Sequence, residues 1–204
     1  MIRSTNYLSL DLELNTVDGN TTHLIEVGAA VGNVVDGIFF KKQWYIKPTF
    51  DLKGQLICDY TLSDHIIGLT GITQEDYDQN AVDSQIVAAE LGDIINGSSC
   101  FVNPVTWGIG DTDELKNTFK HEGIQFPFFG RRFIDVKTLY LYIEAANGRS
   151  LSGGLRKSMN RYGIKFIGEP HRAATDAENT LRFFFHLLDR QKKLEDTIKL
   201  FKQI

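Results

Sequence analysis

The sequence has few of the residues that cross-link small folds, and it has no apolar run of the length that crosses a membrane. Its 204 residues include only two cysteines and four prolines. Cys58 and Cys100 stand apart rather than in a CxxC pair, so their spacing indicates neither a zinc site nor a redox motif. This composition suits a reducing compartment, and we expect a cytoplasmic location. No segment approaches the roughly 18 apolar residues of a membrane span, so we expect no membrane partner.

Positive charge is the minority charge, and half of it lies in the last quarter of the chain. Lysine and arginine total 22 against 26 aspartate and glutamate residues, a net charge of −4. This balance argues against a protein that coats nucleic acid by bulk electrostatics. Residues 1–150 carry 11 basic and 20 acidic side chains, whereas residues 151–204 carry 11 basic and 6 acidic ones. The location of the acidic residues therefore matters more than their number.

Apolar periodicity predicts three strands, followed by helices that alternate with shorter strands. The strands cover 7–14, 23–31 and 38–46, and their closeness in sequence favours antiparallel pairing. Residues 48–82 are predicted to be turn-rich and irregular. Further strands are predicted near 100–105 and 132–134, with helices near 84–97, 111–121, 136–146, 151–162 and 173–200.

This order of elements predicts an α/β domain with three layers, in which helices flank a mixed five-stranded sheet. The first three strands of that sheet are expected to be antiparallel. We expect one domain over residues 1–204, with a core of about 7–190 and a C-terminal helical extension over 191–204.

Several acidic residues lie on a predicted strand or at the start of a predicted helix, where their side chains can line a cleft. Asp11 and Glu13 lie two apart on the first strand, so both carboxylates face the same side and can reach a common ion. A half-buried strand with a solvated polar face explains the same pair. Asp111 opens a helix, where it either caps the backbone or serves the site, and Asp113 competes for that functional role.

His171 and Asp176 form a second candidate group just before and within the last long helix. A separation of five residues does not place them on one helical face. Both can still point into one cleft if His171 precedes the helix and Asp176 lies in its first turns. The competing interpretation is a surface histidine and an acid that the helix dipole favours.

Taken together and in this chain order, these residues resemble the DEDDh family of 3′→5′ exonucleases, which have a ribonuclease H-like fold. Asp11, Glu13, Asp111 and Asp176 match the four acids, and His171 matches the histidine. We choose Asp111 over Asp113 because Leu115, four residues on, fits the family pattern. Two neighbouring segments are similar to the second strand and the final-helix entry of this family: Leu24–Ala29 and Ala173–Asn179. Five others are similar to those of its ERI-like and KapD-like exoribonuclease branch: Leu62–Asp64, Leu69–Gln74, Thr106–Asp111, Gly154–Leu155 and Tyr162–Phe166. Pro170 departs from the branch, which often has another histidine there.

The resemblance implies a metal-dependent enzyme that releases 5′-mononucleotides from the 3′ end of single-stranded RNA or of short overhangs. It implies two Mg²⁺ ions, for which Mn²⁺ can substitute, held by the four acids with Asp11 bridging both. His171 is then the general base. A DNA exonuclease and a non-catalytic nucleic-acid-binding module on the same fold are the alternatives. A monomer and a homodimer both remain open.

The substrate contacts are predicted from residue type and position. Apolar side chains near the motifs are candidates to pack on terminal bases, and basic side chains are candidates to follow the phosphates. The first group is Leu14, Leu69, Ile72 and Trp107; the second comprises Arg172, beside His171, with Arg149, Arg156, Lys157, Arg161 and Lys165.

Overall fold

The structure is a computed structural model that describes residues 5–17, 19–125 and 130–202. It contains a single five-stranded sheet in these ranges, together with seven α-helices. The strands are β1 (Tyr7–Val17), β2 (Thr21–Asn33), β3 (Gly37–Tyr45), β4 (Val105–Thr106) and β5 (Ile134–Asp135). The helices are α1 (Asp64–Thr70), α2 (Gln74–Asn80), α3 (Ser84–Gly97), α4 (Asp111–His121), α5 (Val136–Ala146), α6 (Leu155–Arg161) and α7 (Ala173–Phe201).

The sheet has the order β3-β2-β1-β4-β5, with β1 at its centre. The pairs β1–β2 and β2–β3 are antiparallel, whereas β4 pairs parallel with both β1 and β5. The predicted mixed five-stranded sheet, with its first three strands antiparallel, is therefore confirmed. The parallel strand β4 is in register with β1 at the residue pair Ser9 and Val105.

Helices cover both faces of the sheet, which explains why the central strand is buried on both sides. Leu8, Leu10 and Leu12 pack in one cluster with side chains of α3 and α4. A second cluster joins Val105 to side chains of α5, α6 and α7. The three predicted layers are thus present, and the polar side chains of β1 lie at a sheet–helix boundary rather than in open solvent.

Residues 48–82 contain two short helices that the sequence prediction missed. The Ser63 side chain accepts a hydrogen bond from the Ile66 N–H and caps α1, which ends at Gly71 in the left-handed region with a φ of 72°. Thr73 then caps α2 by accepting from the Asp76 N–H. The Leu69–Thr73 motif therefore forms the turn between α1 and α2. Gly71 supplies the left-handed residue that ends α1, and Thr73 supplies the cap of α2.

Smaller differences concern the short strands and α6. The predicted strand over 100–105 is reduced to Val105–Thr106, and the predicted strand near 132–134 lies at Ile134–Asp135. The predicted helix over 151–162 begins only at Leu155, since Gly153 adopts a φ of 136°, which a helix does not allow.

The C-terminal part of α7 extends beyond the packed core of the domain. Leu181, Phe184 and Leu187 are buried in the second cluster, whereas every described residue from Asp189 onward is exposed. The helix therefore projects into solvent over most of the predicted extension, whose residues 203–204 lie outside the described part of the chain. No helix in the described ranges is both long enough and apolar enough to cross a membrane.

Candidate active site

The two acids of β1 open onto a cavity beside the start of α7. Asp11 lies opposite Gly28 on β2, and Glu13 lies opposite Glu26. The cavity measures about 280 Å³, and its walls are Asp11, Leu12, Glu13, Trp107, Gly154, Leu155, His171 and Asp176. A larger cavity of about 500 Å³ shares Gly154, Leu155, His171 and Asp176 and adds Arg156, Lys157, Asn160, Phe166 and Pro170.

His171 and Asp176 meet at this cavity because the chain turns sharply before α7. His171 has a φ of 59°, in the left-handed region, and its N–H donates to Oδ2 of Asp176 across 2.9 Å. Ligand atoms of Glu13, His171 and Asp176 all lie within 4.8 Å of one another. The arrangement matches the expectation that the histidine precedes the helix and that the acid lies in its first turn.

The middle acid of the cluster is Asp111 rather than Asp113. Asp111 begins α4, and its negative charge is the strongest of the neighbouring charges that raise the pKa of Asp11. The backbone N–H groups of Leu12 and of Asp111 itself favour the ionised carboxylate and partly offset the effect of burial on its pKa. Asp113 is exposed two residues farther along the helix, where its side chain points away from that of Asp111. The structure therefore brings Asp111 to Asp11 and Glu13 and leaves Asp113 outside.

The acids disfavour one another's ionisation. Burial is the largest cause of the raised pKa of Glu13, which reaches about 8, and the charges of Glu26, Asp176 and Asp111 add to it. Burial, then Glu114, raises the pKa of Asp111 to about 7. Burial and four neighbouring carboxylates raise the pKa of Asp11 well above its ordinary value. Buried oxygen ligands that repel one another in this way fit a divalent cation such as Mg²⁺, whose charge would reverse the shifts.

Two residues beside the cluster had no assigned role in the sequence prediction. Glu26 is fully buried, and its Oε1 accepts hydrogen bonds from the Arg172 side chain while its Oε2 accepts from the Ala173 N–H. Gly28 leaves room for the backbone of Ala173 and Ala174. An acid within the apolar run Leu24–Val27 was the available signal for Glu26, because a buried carboxylate requires a partner.

The predicted substrate residues have different surroundings. Trp107 lines the smaller cavity, Leu14 is half-buried, and Leu69 is 39% exposed on α1. Ile72 has no exposed surface and packs with Ile25, Leu62, Ile66 and Tyr77, so its predicted contact with a base is wrong. The guanidinium of Arg172 contacts Glu26 and Tyr45, and this differs from the predicted contact with phosphate.

The basic side chains near the site also divide into two groups. Arg149 and Arg161 bind the buried carboxylate of Glu144, which occupies their guanidinium groups within the fold. Arg156 and Lys157, in contrast, line the larger cavity next to His171. Of these four cations, Arg156 and Lys157 are therefore the two that the fold directs toward the site.

Solved structures with the same fold are numerous. The nuclease domain of 3′hExo, described as a DEDDh family member bound to rAMP, is 21% identical with a TM-score of 0.74, over 93% of this chain and 94% of that one. Cell-death related nuclease 4 is 20% identical with a TM-score of 0.75, over 91% of this chain and 64% of that one. Escherichia coli exonuclease I, in complex with a dT13 oligonucleotide, is 16% identical with a TM-score of 0.65, over 95% of this chain and 43% of that one.

The comparison with sequence families gives the assignment that these distant structural similarities cannot give by themselves. No curated protein sequence matches the chain significantly. A family model described as RNase T exonuclease matches residues 8–184, which include all four clustered acids and His171. The chain therefore belongs to the RNase T exonuclease family, and its fold is that of the DEDDh nuclease domain of 3′hExo.

Proposed function

We propose that this protein hydrolyses single-stranded RNA, or short RNA overhangs, from the 3′ end and releases 5′-mononucleotides. The observation that carries the proposal is that carboxylates from β1 and α7 meet His171 at one cavity, while the α4 carboxylate of Asp111 acts on Asp11. We assign the protein to the ERI-like and KapD-like branch and to the cytoplasm, as one domain that acts as a monomer or a homodimer.

Four carboxylates would hold two divalent ions, Mg²⁺ or in its place Mn²⁺: Asp11, Glu13, Asp111 and Asp176. Bound divalent ions lower the pKa of water and stabilise charge on the attacking and leaving oxygens of a phosphodiester. Asp11 lies among the other three acids and is the residue that would contact both ions. The carboxylates must be ionised to bind cations, so their raised pKa values make ion binding and proton release coupled events.

His171 is the proposed general base. Its side chain is exposed on the wall shared by both cavities, where a ring nitrogen can accept a proton from the attacking water. Histidine is the side chain that most often performs such a proton transfer. Asp176 accepts a hydrogen bond from the backbone of His171 and so connects the base to the cation-binding acids.

The larger cavity offers a path for the strand next to its 3′ end. Arg156 and Lys157 can neutralise phosphates, while Phe166 offers an aromatic surface. Stacking on such a ring is worth about 1–3 kcal/mol per base. We propose Trp107, Leu14 and Leu69 as further contacts for the terminal bases. A grip limited to the strand's end is compatible with the net charge of −4.

RNA is favoured because the structural neighbours include a 3′-exonuclease described as recognising the 3′ end of a histone mRNA stem-loop. A DNA substrate is the second candidate, supported by the exonuclease I complex with dT13. Discrimination between the two depends on contacts with the 2′-hydroxyl group. A non-catalytic binding module on this fold would be expected to lack one of the five clustered residues, and all five are present.

The test is degradation of matched single-stranded RNA and DNA that carry a 5′ label, with Mg²⁺, Mn²⁺ or EDTA. We expect a ladder of 3′-shortened RNA with either metal, slower shortening of DNA, and none with EDTA. Asp11→Asn and Asp176→Asn should abolish the ladder, whereas Asp189→Asn, at an exposed acid farther along α7, should not. An absence of cleavage with every metal, or an active Asp176→Asn variant, would contradict the proposal.

A further inference from the structure

Glu26 occupies an unusual position for a carboxylate, fully buried between β2 and the start of α7. Its Oε1 accepts hydrogen bonds from Nε and Nη2 of Arg172, at 3.2 and 2.9 Å. Its Oε2 accepts from the Ala173 N–H at 2.9 Å. Nη2 of Arg172 also donates to the Tyr45 hydroxyl oxygen at 2.9 Å, so the strands β2 and β3 hold this arginine jointly.

These contacts provide α7 with a cap that its own sequence lacks. The N-cap position is Arg172, whose side chain makes no capping hydrogen bond. The first N–H groups of a helix have no partner within the helix, and a negative charge nearby is favourable. Glu26 binds one of those groups, that of Ala173, from the neighbouring strand. The carboxylate thus fixes the place where α7 begins.

The same contacts border the proposed general base. His171 has a φ of 59°, a conformation that costs a non-glycine residue free energy and persists where its surroundings impose it. On one side, its N–H is bound by Asp176. On the other side, Arg172 and Ala173 are bound by Glu26. Because the His171 side chain is exposed, the backbone held at these points determines where the imidazole lies.

We propose that Glu26 and Arg172 are a positioning pair that holds the His171 backbone so that the imidazole reaches the attacking water. This inference rests on the proposed function, in which His171 is the base. It assigns to Arg172 a role toward His171 rather than toward a phosphate. A purely structural anchor would stabilise α7 without affecting the histidine selectively, and the two roles predict different kinetics.

Two conservative variants test the pair while they keep a hydrogen-bonding side chain at each position. Arg172→Lys keeps the positive charge but loses the planar fork that binds Glu26, and Glu26→Gln keeps the shape but loses the negative charge. We expect each to lower the single-turnover cleavage rate by about 10²-fold, as small displacements of catalytic groups do, with KM changed less than threefold. A rise in KM of about 10²-fold with an unchanged cleavage rate would overturn the proposal.

The decisive comparison repeats Arg172→Lys in a His171→Ala background. If Arg172 acts through His171, the second substitution should reduce the residual rate by less than threefold, because the group that it positions is already gone. The same 10²-fold loss in both backgrounds would overturn the proposal. The control is Lys41→Gln, which removes the 2.7 Å ion pair between Lys41 on β3 and Glu178 on α7. This variant removes a different contact of the same helix, and its cleavage rate should be within twofold of that of the wild type.

A measurement without catalysis separates this inference from the proposed function. Hydrogen exchange of the backbone amides over 171–176 should become at least tenfold faster in Arg172→Lys and Glu26→Gln, and unchanged in Lys41→Gln. Unchanged exchange in the first two variants would overturn the positioning role even in an active enzyme. A wild type without nuclease activity would instead reject the proposed function, while faster exchange confined to 171–176 would still support the positioning of His171.

Discussion

Gly28 and Ala173 bring strand β2 and helix α7 into backbone contact. A Cβ atom on Gly28 would lie 2.0 Å from the carbonyl carbon of Ala173 and 2.1 Å from the nitrogen of Ala174. Gly28 is also the register partner of Asp11. The first turn of α7, which carries Asp176, therefore begins directly beside the strand pair that carries Asp11, and the missing side chain permits this closeness.

Gly28→Ala should disturb the fold and the site together, because neither backbone can yield without moving the start of α7. We expect a loss of about 1–3 kcal/mol in the free energy of unfolding, measured by urea denaturation, and a cleavage rate lowered by about 10²-fold. The matched control is Gly68→Ala in α1, where an added Cβ would meet no atom within 4 Å. If the two variants change the free energy of unfolding and the cleavage rate equally, the close approach at Gly28 is unimportant for both.

The long elements could be predicted from sequence because periodicity and end signals agreed there. The predicted helices over 111–121 and 136–146 have the observed bounds, as each carries apolar residues at helical spacing and begins at an acid or beside one. In contrast, α1 and α2 have seven residues each, about two turns, which is too short for an apolar pattern to distinguish a helix. Their caps, Ser63 and Thr73, were the signals that remained unused.

The candidate site was predictable in its residue types and less so in their surroundings. The family pattern grouped five residues, of which Asp11, Glu13, His171 and Asp176 line one cavity, while the charge of Asp111 acts on Asp11. It could not show that Ile72 faces the core, since the turn at Gly71 decides that orientation. The role of Glu26 also escaped prediction, because its partners Arg172 and Ala173 are distant in sequence and adjacent only in the folded chain.

The two acids at the start of α4 should differ sharply in function. Asp111→Asn removes a carboxylate from the cluster and should lower the rate of cleavage by about 10³-fold, equivalent to about 4 kcal/mol of activation free energy. Asp113→Asn alters an exposed side chain and should stay within threefold of the wild type. Both rates are measured on the same labelled oligonucleotide with Mn²⁺. Loss of cleavage in the Asp113 variant alone would mean that the middle acid is misassigned.

His23 should make stability depend on pH. The side chain is fully buried, neither ring nitrogen has a hydrogen-bond partner among the described residues, and burial lowers its pKa to about 4 against the opposing charges of Asp51 and Asp59. The unfolded chain, with an ordinary value near 6.5, binds the proton first. Stability is therefore complete above about pH 7 and decreases as the pH falls through 6.5 toward 4.

His23→Leu removes this titrating group, so the difference in unfolding free energy between the variant and the wild type should depend on pH. At pH 7.5 the variant should match the wild type within about 1 kcal/mol, whereas at pH 5 it should be more stable by about 2 kcal/mol. Urea denaturation at both pH values measures the two free energies. His65→Gln, at an exposed histidine on α1, is the control. A constant difference between His23→Leu and the wild type at both pH values would contradict the assignment.

Leu69 and Ile72 should separate substrate contact from core packing within a single motif. Asn15, next to Leu14, binds the backbone of Thr61 and Ser63, which holds the start of α1 against the end of β1. Leu69 is exposed on that helix, so Leu69→Ala should raise KM for single-stranded RNA about threefold to tenfold and alter the free energy of unfolding by less than about 1 kcal/mol. Ile72→Ala empties a fully buried position and should cost about 2–5 kcal/mol of stability, with KM of the folded protein unchanged. A KM that rises in the Ile72 variant and not in the Leu69 variant would reverse the two roles.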